Sequence, residues 1–461
     1  MLFHSTRGKD KDKTFEQVLM QGLADDGGLF IPDNWPKVDI NKLKELDTFL
    51  DVAKYIVPMF TQSSFDKSEV EEVLNNTWHD FSEKDLIKIF DIDESTSILE
   101  LFHGPTAAFK DFGLQLAAAF FNKTLQTQNK TAVVFGATSG DTGSAAIDAC
   151  KEFDVIKSFI LIPDGNMSEI QRKQMTTVDK SNVFPILVSG TFDDCQDIVK
   201  KGFSERSFLR DDQYLLAVNS INWVRIIGQI CYYFYASLIV NKLSHPLNFS
   251  VPTGNFGNVF ACYAASKMGM PLEKIIVAVN SNDILDRFFK NNDYSKKTVS
   301  ETISPSMDIS VASNFERLMY DFYLNRNSEA CSNLYNNFPE YGIKIDDEMW
   351  QKSEDLFMSY SINDDSTYES MKFYNNEYNY VMDPHTAVAA EAVSSLKDKL
   401  KNKTIILSTA HPAKFPNALK NAGIISDDIP DNLSEVISKK EVASKLSASE
   451  DSIFNYIKEN N

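Results

Sequence analysis

Residues 131–153 read "TAVVFGATSGDTGSAAIDACKEF", and this stretch decides the class of fold. It begins with a short β-branched run, continues through a loop of glycine and hydroxyl residues, and ends with the apolar spacing of a helix. The same order returns in SFILI–PDGN, LNFSV–PTGNFGN–VFACYAASKMG and KTIIL–STAHPAKF. Strands that alternate with helices predict parallel βαβ units and a sheet covered on both faces. Ligands of such sheets bind at the carboxyl ends of the strands, where these loops lie.

The chain before residue 95 has a different pattern and predicts a small helical domain. The segment TFEQVLMQGLAD places Phe15, Val18, Leu19 and Leu23 on one amphipathic stripe. Helical patterns return in LDVAKYIVPMF and SEVEEVLNNTW. Residues 290–380 are rich in Asn and Tyr, and we predict insertions, helices and exposed connections there.

Composition narrows the classes of partner. The chain has 461 residues and a formal net charge of −19, which disfavours nucleic acid or an anionic membrane as the main partner. Its longest apolar run, ICYYFYASLIV from Ile230, is shorter than the ~18 residues of a membrane span. The start lacks the pattern of a signal peptide, and the five cysteines form no C-x-x-C pair. We therefore expect a cytoplasmic protein that binds any anionic ligand through local positive charge.

The loop PTGNFGN is a candidate phosphate site. Gly254 and Gly257 allow a close turn before a helix that begins near Asn258, and unpaired N–H groups would then point outward. Such a nest binds phosphate without net positive charge nearby. The alternative is an ordinary tight turn between a strand and a helix.

The loop GATSGDTG is a second candidate for an anion. Thr138, Ser139 and Thr142 could donate to a carboxylate, together with the N–H groups that follow. The alternative is helix capping by Asp141 or Ser139, a role that both residue types commonly fill.

Three further polar segments could bind a ligand, but each also has an ordinary structural explanation. TAHPAKF offers Thr409 and Lys414 at a strand end, and NSINWVRI offers a polar cluster that a cap and a surface ion pair would explain. In MDPHTAVAAEAV, Asp383 and Pro384 predict a helix start, so His385 is interpreted as structural. No cluster of His, Cys or Asp has the spacing of metal ligands.

Lys110 is the most unusual residue of the sequence, because it stands between Phe109 and Phe112 in an otherwise apolar run. It either extends to solvent or has a chemical role. A desolvated lysine has a lowered pKa, so its amine can be neutral and can react with an aldehyde. Pyridoxal 5′-phosphate (PLP) needs such a lysine, a phosphate cradle and a partner for its ring nitrogen.

Several motifs in the same order give the chain a resemblance to a known family. They are STRG, QGLADDGGLFIP, HGPTAAFKDFG, GATSGDTGSAA, SINWVR, VPTGNFGN, SPSMDISVASNFERL, DPHTAV and TAHPAKF. Together they resemble the threonine synthases, PLP enzymes of the tryptophan synthase β fold type, over residues 5–420. The resemblance implies a fold type II PLP enzyme: two α/β lobes with parallel-rich sheets covered by helices, and a mainly helical N-terminal domain. The implied divisions are 1–94 for that domain, 95–461 for the catalytic region and about 115–210 for the smaller lobe.

The resemblance also implies roles for single residues. Lys110 would be the Schiff-base lysine, and Thr409 would hydrogen-bond the pyridine nitrogen. The cofactor phosphate would be held by Gly254, Asn255, Phe256, Gly257 and Asn258. The substrate carboxylate would be surrounded by Thr138, Ser139, Gly140, Asp141 and Thr142. The substrate phosphate would be held by Asn219, Ser220, Arg225 and Lys414.

The implied reaction converts O-phospho-L-homoserine and water into L-threonine and phosphate by β,γ-elimination and water addition. The family often has Asp where this chain has Asn258, a change that removes a negative charge near a phosphate. Two alternatives stay open: a phospho-lyase or serine/threonine dehydratase of the same fold type, and a binding protein that keeps the scaffold. The sequence also leaves open whether the protein is a monomer or a homodimer.

Overall fold

The computed structural model describes residues 1–138, 140–165 and 167–461. The strands are β1 (Phe3–Ser5), β2 (Phe30–Pro32), β3 (Lys88–Asp91), β4 (Thr96–Glu100), β5 (Thr131–Ala137), β6 (Ile156–Pro163), β7 (Val183–Ser189), β8 (Gln213–Leu216), β9 (Leu247–Pro252), β10 (Leu272–Val279), β11 (Phe357–Ser361), β12 (Thr404–Ser408) and β13 (Ser444–Ser447). The helices are α1 (Phe15–Gln21), α2 (Ile40–Leu43), α3 (Phe49–Ile56), α4 (Pro58–Thr61), α5 (Lys67–Asn75), α6 (Lys110–Gln128), α7 (Asp141–Cys150), α8 (Glu169–Thr176), α9 (Phe192–Glu205), α10 (Trp223–Asn241), α11 (Gly257–Met268), α12 (Ile284–Asn291), α13 (Phe315–Leu318), α14 (Ser328–Tyr341), α15 (Asp347–Gln351), α16 (Asp364–Tyr378), α17 (Pro384–Leu396), α18 (Pro416–Asn421), α19 (Asp431–Ser438) and α20 (Glu450–Asn460). Short 3-10 helices lie at Pro305–Met307, Lys352–Asp355, Lys397–Lys399 and Pro412–Lys414, and Met319–Tyr323 is a π-helical turn.

The smaller of the two main sheets has the strand order β13-β7-β6-β5-β8, and all its pairings are parallel. Successive side chains of β5 enter opposite cores: Val133 and Phe135 join one apolar cluster, Ala132 and Val134 the other. A strand that is buried on both faces reads as a continuous apolar run, which is the pattern of TAVVF. The parallel α/β arrangement predicted from the sequence is confirmed here.

The larger sheet has the order β11-β10-β9-β12-β4-β3 and is parallel except for β3, which pairs antiparallel with β4. Along β12, Ile405 and Leu407 face the main core, whereas Ile406 faces a second core that α17 covers. The segments LNFSV and KTIIL form strands β9 and β12, as their apolar runs predict, and the two strands are neighbours in this sheet. The carboxyl ends of β4, β9 and β12 therefore meet at one edge of this sheet.

Helix α10 runs through the centre of the protein and is longer than the apolar run ICYYFYASLIV that it contains. It has 19 residues and is apolar enough to cross a membrane by length and composition, but 89% of its apolar window is buried inside the protein. It packs against α6, α11 and α3. These contacts explain the apolar run as the core helix of a globular protein.

The helices before residue 95 differ in detail from the prediction. Helix α1 ends at Gln21, and Gly22 after it has a positive φ of 70° that glycine adopts readily, so Leu23 lies outside the helix and is exposed. The segment LDVAKYIVPMF forms two helices, α3 and α4, with Pro58 at the first position of the second. The division of the chain at residue 94 and the bounds of the smaller lobe stay predictions.

Candidate active site

The candidate loops lie at the carboxyl ends of strands from both sheets. The loop after β4 leads to Lys110, the first residue of α6, and it runs beside the loop after β12. The Phe109 N–H donates to the Thr409 carbonyl at 2.9 Å, and Ala108 and Ala410 form an isolated β-bridge. The lysine and Thr409 are thus brought together by backbone hydrogen bonds.

Hydrogen bonds to Asp111, the residue after Lys110, hold the turn that precedes the lysine. The Asp111 carboxylate accepts the Thr106 hydroxyl at 2.6 Å and the Thr106 N–H at 2.9 Å. A Cβ on Gly104 would collide with this carboxylate, and Ala107 adopts a left-handed conformation with φ of 54°. Burial raises the pKa of Asp111 to about 7, and the Thr106 hydrogen bonds oppose the rise. The motif HGPTAAFKD therefore encodes the turn that aims Lys110.

The Lys110 amine is buried among charged groups and does not extend to solvent. It lies 3.3 Å from Asp141 Oδ2 and 3.4 Å from Ser306 Oγ, and the residue is 9% exposed. Desolvation lowers the pKa of Lys110; the Asp141 carboxylate opposes this shift, whereas Lys414 and Arg225 add to it. A lysine with a lowered pKa is suited to nucleophilic attack on an aldehyde.

Asp141 is the counter-ion of two buried lysines rather than a helix cap. Its carboxylate contacts Lys414 Nζ at 2.8 Å as well as Lys110, and it accepts from Gln171 at 2.9 Å. Burial alone would raise the pKa of Asp141, but the two lysines lower it well below its usual range. The alternative interpretation of Asp141 as a helix cap does not hold, because no side chain of the described residues caps α7 and the lysines engage this carboxylate. Instead the Thr138 hydroxyl accepts the Gly140 and Gly143 N–H groups at 3.1 and 2.9 Å.

The predicted phosphate loop, residues 254–258, leads into the start of α11. Phe256 adopts a left-handed conformation with φ of 62°, and among the described residues no side chain caps the helix. A Cβ on Gly254 would lie 2.7 Å from the Ser306 carbonyl, so only glycine fits there. The buried Asn258 amide accepts the Tyr233 hydroxyl at 2.7 Å, and within the described part of the chain its Nδ2 has no partner. The uncapped N–H groups and this amide fit an anion.

A buried pair of residues holds the phosphate loop in place. The Asn314 side chain donates to the Asn255 carbonyl at 3.0 Å and to the Ser220 carbonyl at 3.2 Å. Arg317 donates to Asn314 Oδ1 and, at 2.6 Å, to the Ile221 carbonyl. The two candidate phosphate-binding segments are therefore joined through one asparagine.

Arg225 is a buried cation rather than part of a surface ion pair, so the structural explanation of that residue is wrong. It is 4% exposed, and no carboxylate of the described residues lies within ion-pair distance. Its Nη1 lies 3.5 Å from the Val218 carbonyl, and its Nε has no hydrogen-bond partner among the described residues. Burial lowers the pKa of Arg225 to about 10, so the side chain stays charged at neutral pH. The same segment contains the predicted cap, Asn222, which accepts the Val224 N–H at 3.2 Å.

The other predicted site residues lie on the same side of the structure with less distinct contacts. Asn219 is exposed and Ser220 and Thr142 are half-buried, whereas Thr409 is buried. Ser139 lies outside the described residues. Sequence reasoning missed Ser306, Gln171 and Asn314: the first and last belong to the quoted motif SPSMDISVASNFERL, but no signal pointed to Gln171.

The site as a whole fits PLP. A buried lysine with a lowered pKa contacts Ser306, whose carbonyl packs against Gly254 in the loop before the uncapped start of α11. The strand-end residue Thr409 is joined to Phe109, the neighbour of the lysine, by a backbone hydrogen bond. Residues 98–333 match the family described as pyridoxal-phosphate dependent enzyme. Fold and site thus define a fold type II PLP enzyme.

More specific matches come from the ends of the chain and from whole relatives. Residues 2–78 match the threonine synthase N terminus, and residues 386–457 match the threonine synthase C-terminal family. Threonine synthase from Pseudomonas aeruginosa is 40% identical over 96% of this chain and 94% of its own length, and that from Saccharomyces cerevisiae is 40% identical over 91% and 89%. The crystal structure of PLP-bound threonine synthase from Brucella melitensis superposes with a TM-score of 0.95 at 35% identity, covering 99% of both chains. The chain belongs to the threonine synthase family and is a PLP-dependent lyase.

Proposed function

We propose that the protein converts O-phospho-L-homoserine and water into L-threonine and phosphate, with Lys110 as its reacting amine. The observation that carries this proposal is the charge pattern of the site. Lys110, Lys414 and Arg225 are buried in a chain whose net charge is −19, and Asp141 is the one carboxylate of the described residues in ion-pair contact with any of them. An excess of buried positive charge is suited to a small, multiply anionic substrate.

One set of residues in the site would bind the cofactor, and another set would bind the substrate. Bound PLP would supply an electron sink at the substrate's α-carbon. The loop from Gly254 to Asn258 would hold its phosphate through the N–H groups of α11, and Thr409 would hydrogen-bond its ring nitrogen. Lys110 would bind the cofactor covalently and would then move protons at the substrate carbons once its amine is released.

The substrate's two anionic groups would be held by different loops. The N–H groups from Gly140 to Thr142 would bind the carboxylate, while the Thr138 hydroxyl shapes that loop from within. Arg225, assisted by Asn219 and Ser220, would bind the phosphate. Lys414 already donates to Asp141 and to the Thr106 carbonyl at 2.7 Å, so one of its three ammonium protons is left for the phosphate.

The deciding experiment measures both products. Protein loaded with PLP and given O-phosphohomoserine should release phosphate and form an equal amount of threonine. Phosphate accompanied by 2-oxobutyrate and no threonine would place the protein among the phospho-lyases. Turnover of unphosphorylated serine or threonine with no reaction of the phosphate ester would place it among the dehydratases.

A lysine pair on α6 tests the cofactor assignment. Borohydride reduction of loaded protein should fix PLP mass on the peptide that contains Lys110, and Lys110→Met should abolish the fixation. Lys123→Met on the same helix is the matched control, because Lys123 forms a partly exposed ion pair with Glu72 at 2.8 Å. Fixation retained in Lys110→Met would overturn the assignment.

We further propose a cytoplasmic location and a division into a helical domain (1–94) and a catalytic region (95–461). The five cysteines are all buried free thiols, which suits a reducing compartment. Limited proteolysis that yields a stable fragment starting near residue 95 would support the division, and cuts confined to other sites would oppose it.

A further inference from the structure

Two motifs that have no role in the proposed function meet beside Lys110. Ser306, in SPSMD, lies on the 3-10 helix Pro305–Met307, with its Oγ 3.4 Å from Lys110 Nζ and 3.5 Å from Asp141 Oδ2. Its carbonyl packs against Gly254 of the phosphate loop. Ser306 is exposed, yet its hydroxyl contacts the buried amine of Lys110.

The second motif, DPHTAV, fixes the position of Ser306. The Ser306 N–H donates to His385 Nε2 at 3.2 Å. A peptide N–H can only donate, so Nε2 carries no hydrogen and the ring proton is on Nδ1. This Nδ1–H donates to Asp383 Oδ1 at 2.7 Å, and both side chains are buried, at 3% and 0% exposure. The chain from Asp383 through His385 to Ser306 therefore exists only with a neutral imidazole.

We propose that Ser306 is a further catalytic residue, whose hydroxyl holds and relays the proton of Lys110, and that His385 is the residue that positions it. The relay moves one proton: the lysine ammonium gives a proton to Ser306 Oγ, while the hydroxyl gives its own proton to a second acceptor. In the described structure that acceptor is Asp141 Oδ2, which lies 3.5 Å from Ser306 Oγ and 3.3 Å from Lys110 Nζ, so the three groups form a triangle. The inference rests on the proposed function in one respect, namely that Lys110 is the reacting amine.

Other charged groups face the Lys110 amine and must be considered in any pH measurement. They are Asp141 at the start of α7, Lys414 after β12 and Arg225 on α10. Substitution of Ser306 leaves all three in place, so a shift in the titration of Lys110 reports the loss of the hydroxyl. Hydrogen bonds at catalytic lysines are commonly long before ligands bind, which agrees with 3.4 Å.

The first test uses protein without cofactor. Trace acetic anhydride, applied over a series of pH values, labels neutral amines, and mass spectrometry of the Lys110 peptide gives the titration midpoint. Ser306→Ala should lower this midpoint by about half a pH unit, because the ammonium form loses an acceptor. Ser306→Thr should restore it, and Ser204→Ala, at an exposed hydroxyl on α9, should leave it unchanged. A midpoint in Ser306→Ala equal to that of the unmodified protein would overturn the proposal.

The second test separates positioning from general packing. His385→Gln keeps an acceptor near the place of Nε2, whereas His385→Leu removes it, so only the leucine variant should reproduce the Ser306→Ala shift. The double variant Ser306→Ala/His385→Leu should show no larger shift than Ser306→Ala alone, because the two residues act in series. Additive shifts would refute the positioning role. If His385→Leu fails to fold, His385→Gln decides the question alone. A Lys110 midpoint in His385→Gln that differs from that of the unmodified protein would then refute the positioning role.

The third test uses the loaded enzyme. Ser306→Ala should lower kcat about tenfold or more, with little change in KM or in PLP affinity. A loss of PLP affinity with kcat unchanged would show a structural role and would contradict the proposal. Failure of the unmodified protein to form threonine would refute the proposed function instead, and the titration of Lys110 would still decide the role of Ser306.

Discussion

The charge of Asp141 should determine the stability of the site, and Asp141→Asn isolates that charge. Asp141 is 4% exposed and neutralises Lys414 at 2.8 Å, whose side chain is fully buried, and Lys110 at 3.3 Å. Removing one partner of a buried ion pair costs about 3–5 kcal/mol, because the other charge is left without compensation. The amide oxygen of asparagine still accepts from the lysines. We therefore expect a loss of about 3 kcal/mol in the free energy of unfolding.

The pH dependence gives this prediction a sign. The pKa of Asp141 is lowered on folding, so its contribution is present above the unfolded pKa of about 4 and is lost as the pH falls through the folded value. The deficit of Asp141→Asn should be constant from about pH 5 to neutrality and should shrink in stronger acid. Urea denaturation of the protein without cofactor measures it.

The control removes the carboxylate of an exposed ion pair instead of a buried one. Asp197→Asn breaks an exposed pair with Lys200, also at 2.8 Å, and should leave the unfolding free energy unchanged within error. A deficit for Asp141→Asn below about 1 kcal/mol, or one independent of pH in acid, would refute the view that its carboxylate stabilises two buried amines.

Three further variants test the anion sites. Gly254→Ala should weaken PLP binding about tenfold to a hundredfold in a visible-absorbance titration, because the new Cβ would lie 2.7 Å from the Ser306 carbonyl. The control Gly136→Ala should leave PLP binding unchanged, because its new Cβ would make only ordinary contacts. Arg225→Met removes a buried cation and should therefore raise the unfolding free energy by about 1–2 kcal/mol. The same variant should lower kcat/KM for the phosphate ester at least a hundredfold, and an unchanged kcat/KM would exclude Arg225 from the substrate site. Asn314→Ala should weaken both PLP and inorganic phosphate, in separate binding titrations, since its amide joins the two loops; loss of only one affinity would contradict the link.

Local patterns were sufficient for the framework of the fold. TAVVF, SFILI, LNFSV and KTIIL all form buried parallel strands, because an apolar run followed by a glycine-rich or polar loop satisfies a strand and its turn without distant residues. Strand β13 was not predicted. Its sequence, SKLS, is polar and short, and only pairing with β7 makes it a strand.

The site was predicted only as far as residue type allows. Lys110 was singled out because an amine in an apolar run is locally unusual. Asp141 suits both capping and ion pairing, and only the approach of Lys414 decides between them. Ser306 and Gln171 reach the site from distant parts of the chain, and spacing along the sequence carries no signal of such contacts.

The pairing of β13 with β7 has a consequence for folding during synthesis. The strand that completes the edge of the smaller sheet is made roughly 250 residues after its partner, which ends at Ser189. At about 5–20 residues per second, the backbone groups of β7 await that partner for tens of seconds on the ribosome. An unpaired strand edge readily joins other chains. The nascent protein therefore passes through an interval in which a chaperone, or another nascent copy, can occupy the place that β13 later fills.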